Sequence, residues 1–110
     1  MKTQEELLKI KETLDLTNKR VYTVVVPLSD EDDCEEATIY LKKFDRPLLS
    51  SLQKLITGPD SLKAVEVFLK NTYIGGDDLN LVLTNFDALR SCEGAVVEII
   101  SVKKATLKKN

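Results

Sequence analysis

The sequence predicts an α+β domain in which an N-terminal helix precedes a long β-hairpin, and three to four helices pack on that hairpin. Apolar residues recur at helical spacing near the start of the chain, two β-branched or alternating segments follow within 20–44, and helical periodicity returns over most of 45–110. With 110 residues, of which 43% are hydrophobic and 31% charged, the chain is long enough to form a single domain at 1–110 around one core.

The first helix is predicted over 1–18. Thr3 is a suitable capping residue, and Glu6 three positions later completes the capping-box pattern. Its apolar stripe consists of Leu7, Ile10 and Leu14. Because this helix precedes the hairpin and stands apart from the other helices in the chain, loose packing on the domain is an open alternative.

The β-hairpin is predicted at 20–44. Its first strand is the β-branched segment 21–26, which Pro27 closes. Its second strand lies within 37–44, where residues alternate between two faces. One face consists of Ala37, Ile39 and Leu41, and the other of Thr38, Tyr40 and Lys42. The connection between the strands contains six carboxylates at 30–36, and their mutual repulsion predicts an exposed, mobile loop.

Three further helices are predicted at 45–57, 60–72 and 95–108. Asp45 is a capping residue for the first of them, and Gly58 followed by proline ends it. The segment 95–108 is rich in β-branched residues, which favours a strand, but its length and apolar spacing favour a helix. We therefore predict a helix there.

The stretch TYIGGDDL at 72–79 has two interpretations. Paired glycines and carboxylates resemble the GGDEF signature of nucleotide cyclases, but such a domain carries the motif on a hairpin and needs further metal-binding carboxylates. A turn after a helix, with glycine at positive φ, explains the same residues. We predict that turn, then a third strand or a packed loop at 79–83, and then a helix that begins near Asn85 and continues through Cys92.

The residue types present predict a protein that is not an enzyme and that has no cofactor and no metal site. The chain has no histidine, so the commonest general base and zinc ligand is missing. The acidic loop lacks the glycine and the final glutamate of an EF-hand, and no phosphate-binding glycine loop is present. Cys34 and Cys92 are predicted to be two free thiols.

Charge and the start of the chain indicate where the protein acts. The net charge of −2 argues against a dedicated nucleic-acid binder, although four lysines within 103–110 leave a basic tail as an alternative contact for nucleic acid. Met1 is followed by polar residues rather than by the apolar run of a secretory signal. No apolar segment is long enough to span a membrane. We expect a cytoplasmic protein that does not enter a membrane.

Four stretches of the sequence resemble a known class of proteins. They are VYTVVVPL at 21–28, ATIYLKKFDRPLLSSLQKL at 37–55, AVEVFLKNTYIGGDD at 64–78 and the terminal LKKN at 107–110. Together they resemble small phage and prophage proteins of gut bacteria that are grouped with tail assembly chaperones. The resemblance covers about residues 20–110, and it implies a protein-binding role in the bacterial host cytoplasm. Such proteins are thought to coat the tape measure protein and to recruit tail tube subunits.

A chaperone of a helical client needs an apolar groove or face, and the predicted helices can supply one. We expect that face to consist of apolar surface that the hairpin leaves uncovered. The candidate protein-binding residues are Leu48, Leu52, Val67 and Ile74. The main alternative function is a small cytoplasmic adaptor or regulatory domain that contacts nucleic acid through its basic tail.

The acidic loop provides the first testable prediction. If its carboxylates are only solvated, replacing all six acids within 30–36 by serine leaves the melting temperature unchanged or slightly higher, because repulsion between like charges is relieved. Calorimetry of the variant and the native protein, with and without calcium, is the measurement. A large fall in melting temperature, or a calcium-dependent rise in the native protein, would reveal a metal site.

Overall fold

The computed structural model describes residues 1–29, 31, 33–48, 50, 52 and 61–100, and its fold is α+β. An N-terminal helix, a three-stranded antiparallel sheet and several helices make up the chain. The elements are α1 (Gln4–Thr17), β1 (Val21–Pro27), β2 (Glu36–Lys42), α2 (Ser61–Thr72), β3 (Tyr73–Gly76), α3 (Asn80–Leu83) and α4 (Phe86–Ile100). Residues 46–48, 50 and 52 are also helical.

The sheet has the strand order β1-β2-β3, so the second strand of the predicted hairpin lies in the middle. Strands β1 and β2 pair without interruption, from Val21 opposite Lys42 to Pro27 opposite Glu36. Strand β3 pairs with the other edge of β2, and a bulge in β2 shifts the register of that pairing. The predicted hairpin is therefore present, and the sheet gains a third strand from a segment that was predicted as a turn.

The main core lies on one face of this sheet. Ala37, Ile39 and Leu41 of β2 are fully buried, which confirms their predicted common face. Helices α2 and α4 cover them, with Phe68 and Val96 among the residues in the same apolar cluster. Alternation along β2 and helical periodicity along α2 and α4 thus bring their apolar sides into one core.

Helix α1 covers part of the opposite face. Tyr40 of β2 is 3% exposed there, and its hydroxyl donates a 3.0 Å hydrogen bond to the backbone oxygen of Leu7. Burial raises the pKa of the Tyr40 phenol, so the hydroxyl keeps its proton at neutral pH. The capping box of Thr3 and Glu6 is present at the start of α1, as predicted.

The segment after α2 differs from the prediction. The glycine pair was predicted to form a turn, but it belongs to strand β3, and the third strand or loop predicted at 79–83 is helix α3 instead. Gly76 has the expected positive φ, at 102°. A Cβ atom at Gly76 would lie 2.5 Å from the backbone oxygen of Thr38, so glycine also allows β3 to approach β2 closely.

The last described helix is longer than its predicted counterpart. The helix predicted to begin near Asn85 and the one predicted at 95–108 form a single helix, α4, that passes through Gly94. A Cβ atom at Gly94 would contact nothing within 4 Å, so this glycine marks no close approach. The prediction of a helix is confirmed for 95–100, and 101–108 lie outside the described residues.

The helix predicted at 45–57 is confirmed where the structure describes it. Residues 46–48, 50 and 52 are helical, whereas 49, 51 and 53–57 lie outside the described residues. The Asp45 carboxylate accepts the backbone N–H of Leu48 at 3.0 Å, as predicted for a capping residue. In the part of the chain that the structure covers, no helix is both long and apolar enough to cross a membrane.

Substitution of the two neighbouring glycines by alanine tests the close approach of β3. Gly76→Ala places a Cβ atom against backbone at positive φ, so we expect it to lower the free energy of unfolding by about 2–4 kcal/mol. At Gly75 the nearest atom is the Leu14 side-chain Cδ1 at 3.1 Å, which can move, so Gly75→Ala changes it by about 1 kcal/mol or less. Urea denaturation measures the free energy of unfolding of both variants. Equal losses would contradict the close approach of β3 to β2 at Gly76.

Candidate functional site

The first acid of the GGDD motif is a structural residue in the fold. Asp77 is 2% exposed, and its two carboxylate oxygens accept the backbone N–H groups of Lys2 and Thr38, each at 2.8 Å. Its own backbone N–H donates to the backbone oxygen of Thr38, also at 2.8 Å. Asp77 therefore joins the N-terminal segment, β2 and the end of β3.

Tyr73, at the start of β3, also contacts Asp77. Its hydroxyl donates a 2.8 Å hydrogen bond to the backbone oxygen of Asp77. The pKa of Tyr73 is raised by burial first and then by the nearby carboxylates of Asp78 and Asp77, so the phenol remains a donor at neutral pH. This hydrogen bond links the start of β3 to the residue that follows its end.

The second acid of the motif has a separate, local role. Asp78 is exposed, and its carboxylate accepts the backbone N–H of Asn80 at 3.0 Å where α3 begins. Among the described residues, no three His, Cys, Asp or Glu side chains are grouped closely enough to hold a metal ion. Backbone hydrogen bonds account for both carboxylates of the motif, to distant segments for Asp77 and to the start of α3 for Asp78.

A groove with a volume of about 910 Å³ lies beyond the other end of β3. The start of β1, the end of β2 and the last residues of α2 form its walls, together with the helical residues 46 and 48. Its charged lining residues are Arg20, Lys42, Lys43, Arg46 and Asp45, and its apolar ones are Tyr22, Phe44 and Leu48. We call this feature the basic groove.

The cations of the basic groove have no carboxylate partner among the described residues. The described residues form two ion pairs, Lys11 with Asp15 and Lys70 with Glu66. Both lie outside the groove, on the surfaces of α1 and α2. The carboxylate of Asp45 caps the helix beside the groove. The negative charge of Asp45 and the partial negative charge at the C-terminal end of α2 offset some of the positive charge, but the four cations exceed both together.

The aromatic rings of the groove pack against neighbouring side chains. Phe44 packs edge-on against Phe68 of the core, with ring centroids 5.6 Å apart and planes at 62°. The guanidinium of Arg20 lies over the ring of Tyr22, 4.9 Å from its centroid. The groove therefore has an apolar floor that is continuous with the core, and a rim of exposed cations.

The four candidate protein-binding residues do not come together in one place. Leu48 is half-buried and lines the basic groove. Leu52 is fully buried in the core, and Val67 is half-buried against that core. Ile74 is half-buried in β3, outside the groove lining. Of the four, Leu48 alone lines the basic groove.

Sequence reasoning did not identify the cations of the groove, although part of the signal was local. Lys42, Lys43 and Arg46 lie within five positions and flank Phe44. Arg20 joins them only because β1 and β2 are antiparallel, which places Val21 opposite Lys42. The hairpin register, read together with charge, would have brought these residues together.

The two cysteines lie outside the groove lining. Both Cys34 and Cys92 are free, as predicted. Burial raises the pKa of the Cys92 thiol to about 11, so it stays protonated at neutral pH and acts as a small apolar side chain in the core. Cys34 is half-buried in the hairpin loop.

Comparison of the chain with protein-family models, with curated proteins and with solved structures found no match. The basic groove and the residues that form it are therefore the basis for the function proposed below.

Adjacent Asp→Asn substitutions test the structural role of the GGDD motif. Asp77→Asn replaces one of two buried acceptors by a donor that faces a backbone N–H, so we expect it to lower the free energy of unfolding by about 2–3 kcal/mol. Asp78→Asn keeps an oxygen that can cap α3, and it changes the same quantity by about 0.5 kcal/mol or less. Urea denaturation measures both losses. Similar losses in the two variants would rule out a special structural role for the two hydrogen bonds that the Asp77 carboxylate accepts.

Proposed function

We propose that this protein is a non-enzymatic binding module that holds a segment of a partner protein in the basic groove. The tail assembly chaperones that the sequence resembles provide the model for this role, with the tape measure protein as the long helical client. The observation that carries the proposal is a groove with an apolar floor and four exposed cations, none of which forms an ion pair with a described carboxylate. With Asp45 counted, the lining keeps a net positive charge. An amphipathic helix with acidic residues beside its apolar side has the complementary chemistry.

The size of the groove favours a short segment of a partner. A volume of about 910 Å³ lies within the range of about 300–1,000 Å³ that is usual for small-ligand sites. Such a volume accepts a few side chains rather than a whole helix, which is about 10 Å across. We therefore propose that apolar side chains of the client contact Phe44 and Leu48, while client carboxylates pair with Lys43 and Arg46 at the rim.

A protein client fits this groove better than nucleic acid does. Proteins that bind single strands offer free aromatic faces on which bases stack. Here Phe44 packs against Phe68, and the guanidinium of Arg20 already occupies a face of Tyr22. The net charge of −2 also weakens any general attraction to phosphate. The basic tail at 103–110, on which the nucleic-acid alternative depends, lies outside the described residues.

The polar groups that line the groove support binding rather than catalysis. Thr72 has the one aliphatic hydroxyl in the lining, and it is fully buried and donates to the backbone oxygen of Phe68 at 2.6 Å. Asp45, the carboxylate of the lining, accepts the backbone N–H of Leu48. A nucleophile and a base within hydrogen-bond reach of each other would be the minimum for covalent catalysis, and these two groups are engaged elsewhere.

Charge reversal at the groove rim tests the proposal. The double variant Lys43→Glu with Arg46→Glu keeps the fold, because both side chains are exposed and neither has an ion-pair partner among the described residues. Co-expression with the tape measure protein of the same genome should give a soluble complex for the native chain and about tenfold weaker binding for the variant. Lys9→Glu, on the exposed side of α1, is the matched control and binds within about twofold of the native chain.

Size-exclusion chromatography of the co-expressed proteins distinguishes the outcomes. An insoluble tape measure protein and no complex with the native chain would refute the chaperone role. Equal binding by the groove variant and by Lys9→Glu would refute the groove as the binding site. Binding to DNA with a steep salt dependence would instead favour the nucleic-acid adaptor.

A further inference from the structure

Strand β1 forms an edge of the sheet, and no residue within the described ranges pairs with its outer side. The strand has seven residues, and among the strands that the structure describes only β2 pairs with it. Among the described residues, no hydrogen bond joins the outer backbone groups of this strand to another part of the chain. Thr23 is exposed and Val25 is 51% exposed, so the face next to this edge is also accessible. A strand edge of this kind is a template for a further strand.

Hydrogen-bond alternation shows which residues point outward. Leu28 donates its N–H to the backbone oxygen of Glu35, so Val26, Val24 and Tyr22 are the residues of β1 that bond to β2 in the same phase. Thr38, which lies opposite Val25, confirms this phase because its N–H and C=O both bond to Asp77 on the side of β3.

The outward-facing backbone groups therefore belong to alternate residues of β1. They are those of Val21, Thr23 and Val25, followed by Pro27, which has no N–H to offer. Proline thus ends the available edge, and three consecutive outward positions remain for pairing.

The charges at the two ends of β1 select the orientation of an added strand. Lys19 and Arg20, both exposed, precede the strand, and the exposed acids Glu31, Asp33 and Glu35 follow it. A parallel copy of β1 would place cations beside cations and acids beside acids. An antiparallel copy turns the cationic end of each chain towards the acidic end of the other, so this charge pattern is complementary to itself under a two-fold rotation.

We propose that a second copy of this chain pairs with β1 through an antiparallel strand centred on Thr23. In this register Thr23 faces its counterpart at the two-fold axis, and Val21 lies opposite the second copy's Val25. All three outward residues then exchange N–H and C=O groups with the second copy, and a continuous six-stranded sheet results. The exposed side chain of Val25 gains an apolar cross-strand neighbour. This self-association surface shares Arg20 with the basic groove, but it leaves the proposed client contacts at Lys43 and Arg46 outside the strand pairing.

Cysteine cross-linking tests the register. Thr23→Cys in a Cys34→Ser background leaves one exposed thiol, and a hydrogen-bonded antiparallel pair has Cα atoms about 5.5 Å apart, which a disulfide can span. Mild oxidation should convert this variant to a covalent dimer. Thr13→Cys in the same background, with the new thiol on the exposed side of α1, stays monomeric. No enrichment of the Thr23→Cys dimer over this control would overturn the proposed pairing.

Sedimentation velocity over about a hundredfold range of concentration tests the association itself, because a small interface gives a concentration-dependent dimer. Val25→Lys should raise the dissociation constant at least about tenfold. Val97→Lys, the same change at a residue of α4 that is 40% exposed, leaves it within about twofold. A native chain that stays monomeric throughout would overturn the proposal. So would a dimer that forms only after removal of 101–110, because those residues would then occupy the edge.

Discussion

The close approach of β3 to β2 at Gly76 and Asp77 is the constraint on which the rest of the structure depends. Gly76 lets the two backbones meet where a Cβ atom would collide with the oxygen of Thr38, and the buried carboxylate of Asp77 then accepts N–H groups from β2 and from Lys2. Because β3 follows α2 without a connecting loop, fixing this strand also fixes the end of α2. Asn71 and Thr72 at that end line the basic groove, so a contact at one end of β3 positions the proposed binding surface at the other.

Local signals in the sequence predicted most of the elements, and the contacts between distant residues accounted for what was missed. The capping box at Thr3, the hairpin strands and the helical stripes all depend on neighbours within a few residues. Strand β3 has four residues, two of them glycine, so neither its length nor its composition indicated a strand. Its pairing depends on Asp77, whose partners lie 39 and 75 residues away. The spacing of residues within a short segment cannot predict contacts between residues so far apart in the sequence.

The same distinction applies to the candidate site. Apolar periodicity identified Leu52 as one side of a helix, but the buried side of a helix is core more often than interface, and Leu52 is fully buried. The cations of the groove come from two segments, around Arg20 and from 42 to 46, and Asn71 and Thr72 of α2 complete the lining. Hairpin register and the position of α2 bring those segments together. A binding surface assembled in this way is apparent from charge only when the neighbours of each strand are known.

Chemical-shift mapping tests whether side chains of an acidic helical client segment contact the basic groove. The ¹⁵N-labelled protein is titrated with a peptide from the acidic, amphipathic part of the tape measure protein. Our account predicts that the amide shifts cluster at Lys43, Phe44 and Asn71, which line the groove. Shifts confined to the exposed Leu8 and Leu16 on α1, or no shifts at saturating peptide, would contradict it.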